Sequence, residues 1–195
     1  MLEKMRMREI IKNKQVISDD WITLHLPPVT SASSDSAEST SETSAETAET
    51  IVVPSGRVLI PLTVWQAQRA QLVDRAELGI WLASDERPEA LKDDLNLFKV
   101  IAVNFPKFTD GRGYSIAFNL RTRLGYQGEL RAIGDVLRDQ LFYMHRVGFN
   151  AFATREDRNI HDALKGLTDF SESYQTSWDQ KTPLFKRVER PTAQV

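Results

Sequence analysis

Residues 125–152 read GYQGELRAIGDVLRDQLFYMHRVGFNAF, and this stretch decides the fold. Two apolar runs, Leu130-Arg131-Ala132-Ile133 and Phe149-Asn150-Ala151-Phe152, are too short for helices and end in turn-forming or charged residues. Between them, Leu137, Leu141, Met144 and Val147 recur at spacings of four, three and three, the period of one helix face. The expectation is strand, helix, strand, with a crossover long enough to make the two strands parallel neighbours in one sheet.

The same rhythm continues on both sides. Further strands are expected at 58–62, 78–82 and 100–103. Helices are expected at 65–72 behind a Thr63 cap, at 88–95 opening on proline, at 114–124 behind an Asp110 cap, and at 159–173. Strand centres fall about 20 to 30 residues apart, the length of a βα unit. The expected fold class is therefore α/β. It consists of a small parallel sheet of about four strands with crossover helices, either an open sheet or a TIM-half-barrel-like one. An N-terminal β element over residues 1–29 precedes a tract at 30–50 built only from Ser, Thr, Ala, Asp and Glu. That composition cannot bury enough surface to offset ordering entropy, so 30–50 reads as a disordered acidic linker. The α/β domain then spans 51–175, and 176–195 reads as an extended tail.

Bulk composition excludes several function classes. The chain has 195 residues, 41% of them hydrophobic and 27% charged, with a net charge of -2. No long-range attraction to nucleic acid or to an anionic membrane follows from such a balance. No run approaches the ~20 apolar residues of a membrane span, and the N-terminus lacks a signal-peptide pattern, so a cytoplasmic protein is expected. Cysteine is absent, which removes disulfides, thiolate nucleophiles and Cys-ligated zinc or iron–sulfur centres. His25, His145 and His161 fall in no metal-ligand spacing, so no metal is expected. No phosphate loop or dinucleotide fingerprint follows any strand, and no cofactor is expected, with flavin left open.

In parallel α/β folds, sites form at the carboxyl ends of the strands. Those ends carry Ser84 and Asp85, Asn104 to Lys107, Gly134 and Asp135, and Thr154 and Arg155. Asp110, Arg112, Tyr114, Asp135, Arg138, Asp139 and Arg155 are the candidate anion- or partner-binding residues, because guanidinium groups beside turns suit an oxyanion. Helix capping is the competing reading for Asp110 and Asp135, and pairing with those caps or with Asp139 for Arg112 and Arg138. No nucleophile–base series is legible, so the catalytic residues stay unknown.

The phrases FTDGRGYSIAFNLR, GELRAIGDVLRDQLFYMHRVGFNAF and VLIPLTVW resemble a bacterial family catalogued as domain of unknown function 934. The resemblance covers roughly 58–175 and is densest at Asp110-Gly111-Arg112-Gly113-Tyr114, at residues 134–140 and at Gly148-Phe149. Members are commonly described as oxidoreductases of sulfite reduction, so the resemblance implies a place in sulfur assimilation. It brings no established catalytic residue. Sulfite reduction moves six electrons through haem and iron–sulfur centres. A cysteine-free chain is therefore expected to be an accessory or assembly protein that binds the reductase or a sulfur oxyanion. The alternative is a small α/β enzyme acting on an anionic substrate at the Asp110, Arg112, Asp135 and Arg138 rim.

Overall fold

The computed structural model describes residues 8–27 and 47–187. Its strands are β1 (Arg8–Lys12), β2 (Gln15–Asp19), β3 (Ile22–Thr23), β4 (Val58–Pro61), β5 (Leu78–Leu82), β6 (Val100–Phe105), β7 (Glu129–Gly134) and β8 (Ala151–Phe152). The helices are α1 (Leu62–Leu72), α2 (Arg112–Thr122), α3 (Leu141–Val147), α4 (Ile160–Lys165) and α5 (Leu184–Arg187). All eight strands join one sheet in the order β2-β1-β8-β7-β6-β5-β4-β3. From β3 to β8 every neighbouring pair is parallel, whereas β1 runs antiparallel to both β2 and β8. None of the described helices is long and apolar enough to cross a membrane.

The two edge strands, β2 and β3, are joined by Asp20 and Trp21 alone. Laid flat, eight strands at a spacing of ~4.8 Å would hold the edges ~34 Å apart. Three Cα steps reach at most ~11 Å, so the sheet must curl until its edges approach each other. Trp21 packs inside the curl with Trp81 and Ala153 against Leu59, Val100, Ala102 and Ile133. On the outer face, Ile11, Ile60, Ile80, Ile101, Leu130 and Phe152 meet Trp65, Leu120, Leu141 and Met144 of the helices. Burial on both faces explains why the central strands read as continuous apolar runs.

The α/β class holds, but the sheet has eight strands rather than about four. Three of the eight come from the N-terminal element and five from 58–152; the N-terminal hairpin turns at Asn13 and Lys14, both at positive φ (49° and 63°), and β1 then pairs Ile11 with Phe152. Such a partner, remote in sequence, leaves no trace in local periodicity. The 88–95 helix is instead two 3₁₀ turns, Pro88–Leu91 and Leu95–Leu97. Between them the Asp94 carboxylate accepts from Trp65 Nε1 at 2.9 Å and from Arg69 Nε and Nη2 at 2.9 and 2.6 Å. α1 starts without a side-chain cap, directly after Pro61, with Thr63 inside it. The last stretch expected as linker, 47–50, is a helical turn whose Ala48 is buried and whose carbonyl accepts from Gln68 Nε2 at 2.7 Å. The rest of that tract, 30–46, lies outside the described residues, as do 1–7, 28–29 and 188–195. The tail is anchored by Trp178, whose ring lies 5.1 Å from the buried Arg121 guanidinium.

Trp21→Ala removes the aromatic wedge at the closure and is expected to cost about 2–4 kcal/mol, read as a lower urea midpoint with an unchanged slope.

Candidate functional site

The residues singled out in the sequence all follow carboxyl ends of the strands, but they form separate ion-paired groups. In the first, Asp110 accepts from the Arg112 backbone N–H at 3.1 Å, from Nε at 3.0 Å and from Nη2 at 2.7 Å. Arg112 Nη2 also reaches Ser84 Oγ at 2.7 Å, linking the turns after β5 and β6. The Arg112 guanidinium, with Ser84 and the backbone N–H, holds the Asp110 carboxyl well below the usual carboxylate range. In the second group, Asp135 accepts from the Phe108 N–H at 2.8 Å and from Arg155 Nη1 at 3.2 Å, so it ties the β6 turn rather than capping a helix. Arg155 places Nε and Nη2 on Asp157 at 2.9 and 2.8 Å. In the third, Arg138 Nη2 donates to Asp169 at 3.0 Å and Nη1 to Asp162 at 3.4 Å. Tyr114 packs edge-on against Phe105, with centroids 5.6 Å apart, and burial, with the Asp139 charge adding, pushes its phenol up.

These groups share an edge of the sheet without sharing a pocket. Of the seven, Arg155 alone lines the large cavity. That cavity, about 830 Å³, opens at the carboxyl ends of β6, β7 and β8 and is walled on the other side by the N-terminal hairpin. Arg131 lies at its inner end, 2% exposed. Its Nη1 donates to both Asp19 oxygens at 3.0 Å and its Nε to Glu129 Oε1 at 2.8 Å. Lys12 Nζ completes the network on Glu129 Oε2 at 2.7 Å. Two cations thus face two carboxylates, and the hairpin is clamped to β7 through buried charge.

The wall is different. Asn104 of β6 lies against Gly134, whose φ of +91° no other residue adopts readily. A Cβ on Gly134 would stand 2.5 Å from Asn104 Oδ1 and 2.4 Å from the Phe105 carbonyl oxygen. Among the described residues, neither the Asn104 carboxamide nor the imidazoles of His25 and His161 have a hydrogen-bond partner, and all three line the cavity. His25 leans on Trp81, centroids 5.6 Å apart, while Trp81 Nε1 donates to the Leu24 carbonyl at 2.9 Å. At the mouth, Arg8 meets Glu156 at 3.2 Å and Arg158 meets Asp157 at 3.7 Å; the two guanidinium side chains are 67% and 63% exposed. The described residues contain no group of three or more His, Asp or Glu placed to hold a metal ion.

A family model described as bacterial protein of unknown function (DUF934) matches residues 79–185. The chain belongs to that family. No match was found among curated proteins or among solved structures. The DUF934 match contains Asn104, Arg131, Arg155, Arg158 and His161, whereas Arg8, Asp19 and His25 precede it. Sequence reasoning reached Asn104 as a strand-end residue. It passed over Arg131, which stands inside an apolar run, and over Asp19 and His25, whose role depends on where the hairpin docks.

Two outcomes are expected. Arg131→Met leaves Asp19 and Glu129 buried beside a single lysine and should lower stability by about 3–5 kcal/mol in urea unfolding. For Asp110 the folded-state value is depressed. Its pairing therefore contributes fully above the unfolded value near 3.9 and is lost as pH falls through the depressed one. Carboxyl-carbon NMR should place its midpoint well below about 3.9, and Arg112→Ala should return it toward that value.

Proposed function

We propose that this DUF934 protein binds a small molecule in the cavity at the carboxyl ends of β6, β7 and β8. The observation that supports the reading is the convergence of Asn104, His25 and His161 on one space without protein partners. His25 and His161 are exposed and Asn104 is half-buried, so water meets these groups, and a ligand that replaces that water finds a donor and acceptor set not committed to the protein. The volume, about 830 Å³, falls within the ~300–1,000 Å³ of small-molecule sites. The Asp110, Arg112, Asp135 and Arg138 rim supports anion binding less well, because Arg112 and Arg138 donate close hydrogen bonds to Asp110 and Asp169 at 2.7 and 3.0 Å and none of the four residues lines the cavity. Arg155 belongs to both settings.

A second reading is the accessory role beside sulfite reductase. What favours it is an exposed aromatic cluster on the α3 side: Phe142 packs on Phe170 with centroids 4.9 Å apart and edge-on to Tyr143. Tyr143 and Phe170 are 57% and 58% exposed, and the chain has no cysteine with which to hold redox centres of its own. A tagged protein that retains the reductase, and loses it on Phe170→Asp, would support this reading; retention of no reductase overturns it.

A fragment screen by thermal shift tests the cavity. A ligand at 100 times its Kd should add about 2.7 kcal/mol, or roughly 5–10 °C in Tm for a chain of this size. Asn104→Ala and His25→Ala should remove most of the shift, and Arg138→Ala should leave it. The opposite pattern returns the site to the Arg138 rim.

A further inference from the structure

Resting on the cavity reading above, we infer that the ligand is an organic anion: an uncharged hydrogen-bonding body sits inside, and its single anionic group sits at the mouth, which Arg8 and Arg158 both line. A free inorganic oxyanion fills only a small part of the space. Water occupies ~30 Å³ per molecule in the liquid, so an ion of four or five heavy atoms fills on the order of 100 Å³. The cavity holds about 830 Å³.

Charge argues in the same direction. At the inner end, the Arg131 donors are spent on Asp19 and Glu129, so an anion arriving there would meet two carboxylates. Arg155 is equally committed, with Nε and Nη2 on Asp157 and Nη1 on Asp135. Arg8 and Arg158 are held differently, by one carboxylate each at 3.2 and 3.7 Å and with their side chains mostly in solvent. Exposed pairs of this kind contribute little and yield readily to a competing anion. A guanidinium freed in this way offers a fork of donors to a carboxylate or phosphate. Glu9 and Glu156 line the same mouth and set a ceiling on ligand charge, which disfavours a triphosphate.

The wall supplies the other half of the recognition. Asn104 presents a donor and an acceptor together, and His25, His161 and Thr154 add further polar atoms. Groups of this kind read the edge of an uncharged organic body that displaces the water on them.

The test is ¹H–¹⁵N NMR titration of the full chain with matched pairs: benzoate and benzamide, phenyl phosphate and phenol, adenosine monophosphate and adenosine. Inorganic phosphate, sulfate and sulfite are titrated alone. At least one acid should perturb Asn104, Gly134 and Thr154, and its neutral partner should bind roughly tenfold or more weakly, as expected for loss of a charge-assisted bond. Arg8→Ala with Arg158→Ala should cost the acid a similar factor while leaving its neutral partner unchanged; both side chains are exposed and the fold does not rest on them. The carboxylate and phosphate arms separate the two sources of charge. Neutral partners binding equally, or inorganic ions matching the best acid, overturn the inference and leave the cavity reading standing. No perturbation of these residues by any compound overturns both.

Discussion

One buried guanidinium organises this molecule. Arg131 projects from β7 into the curl of the sheet and is met by Glu129 of its own strand and Asp19 at the end of β2. Its side chain is 3% exposed, so the charge persists only because carboxylates from two directions surround it. The contact ties the end of the edge strand β2 to the central strand β7 across the inside of the curl. The chain then turns through Asp20 and Trp21 to supply β3 at the opposite edge. Beside that clamp, the hairpin is held by the β1–β8 register of Ile11 to Phe152 and Lys12 to Ala151, by the Asn13 N–H on the Asn150 carbonyl at 2.9 Å and by the burial of Ile11.

The cavity is a consequence of the same geometry. Parallel strands deliver the turns after β6, β7 and β8 to one edge, and the docked hairpin faces them with Arg8, Glu9 and Ile10. Glycine at 134 permits the turn that places Asn104 against the opening, since any Cβ there would meet backbone and carboxamide oxygen. The site is thus divided between residues inside the DUF934 match and residues before it.

Carboxylates and guanidiniums along this edge are arranged mostly to satisfy one another. Asp110 with Arg112, Asp135 with Arg155, and Arg138 with Asp162 and Asp169 hold neighbouring turns in place. Exposed pairs contribute modestly to stability, but each fixes a connection whose backbone has no strand partner. Asn104, His25 and His161, which line the cavity, carry no such partner among the described residues.

Local pattern was enough for the α/β class and for the placement of β4, β5, β6, β7 and α2, because apolar runs and helical spacing report burial directly. It was enough also to place Asp110, Asp135 and Arg155 at strand ends. It could not show that Arg138 turns toward Asp162 and Asp169, nor that Arg131, in the middle of an apolar run, would be the charge around which the hairpin docks. Periodicity is a property of neighbours in the chain, whereas the curl of the eight-stranded sheet, the ion network and the cavity rest on contacts between residues far apart in sequence. Chain connectivity therefore determined the strands, and only the closing of the sheet decided which side chains share a site.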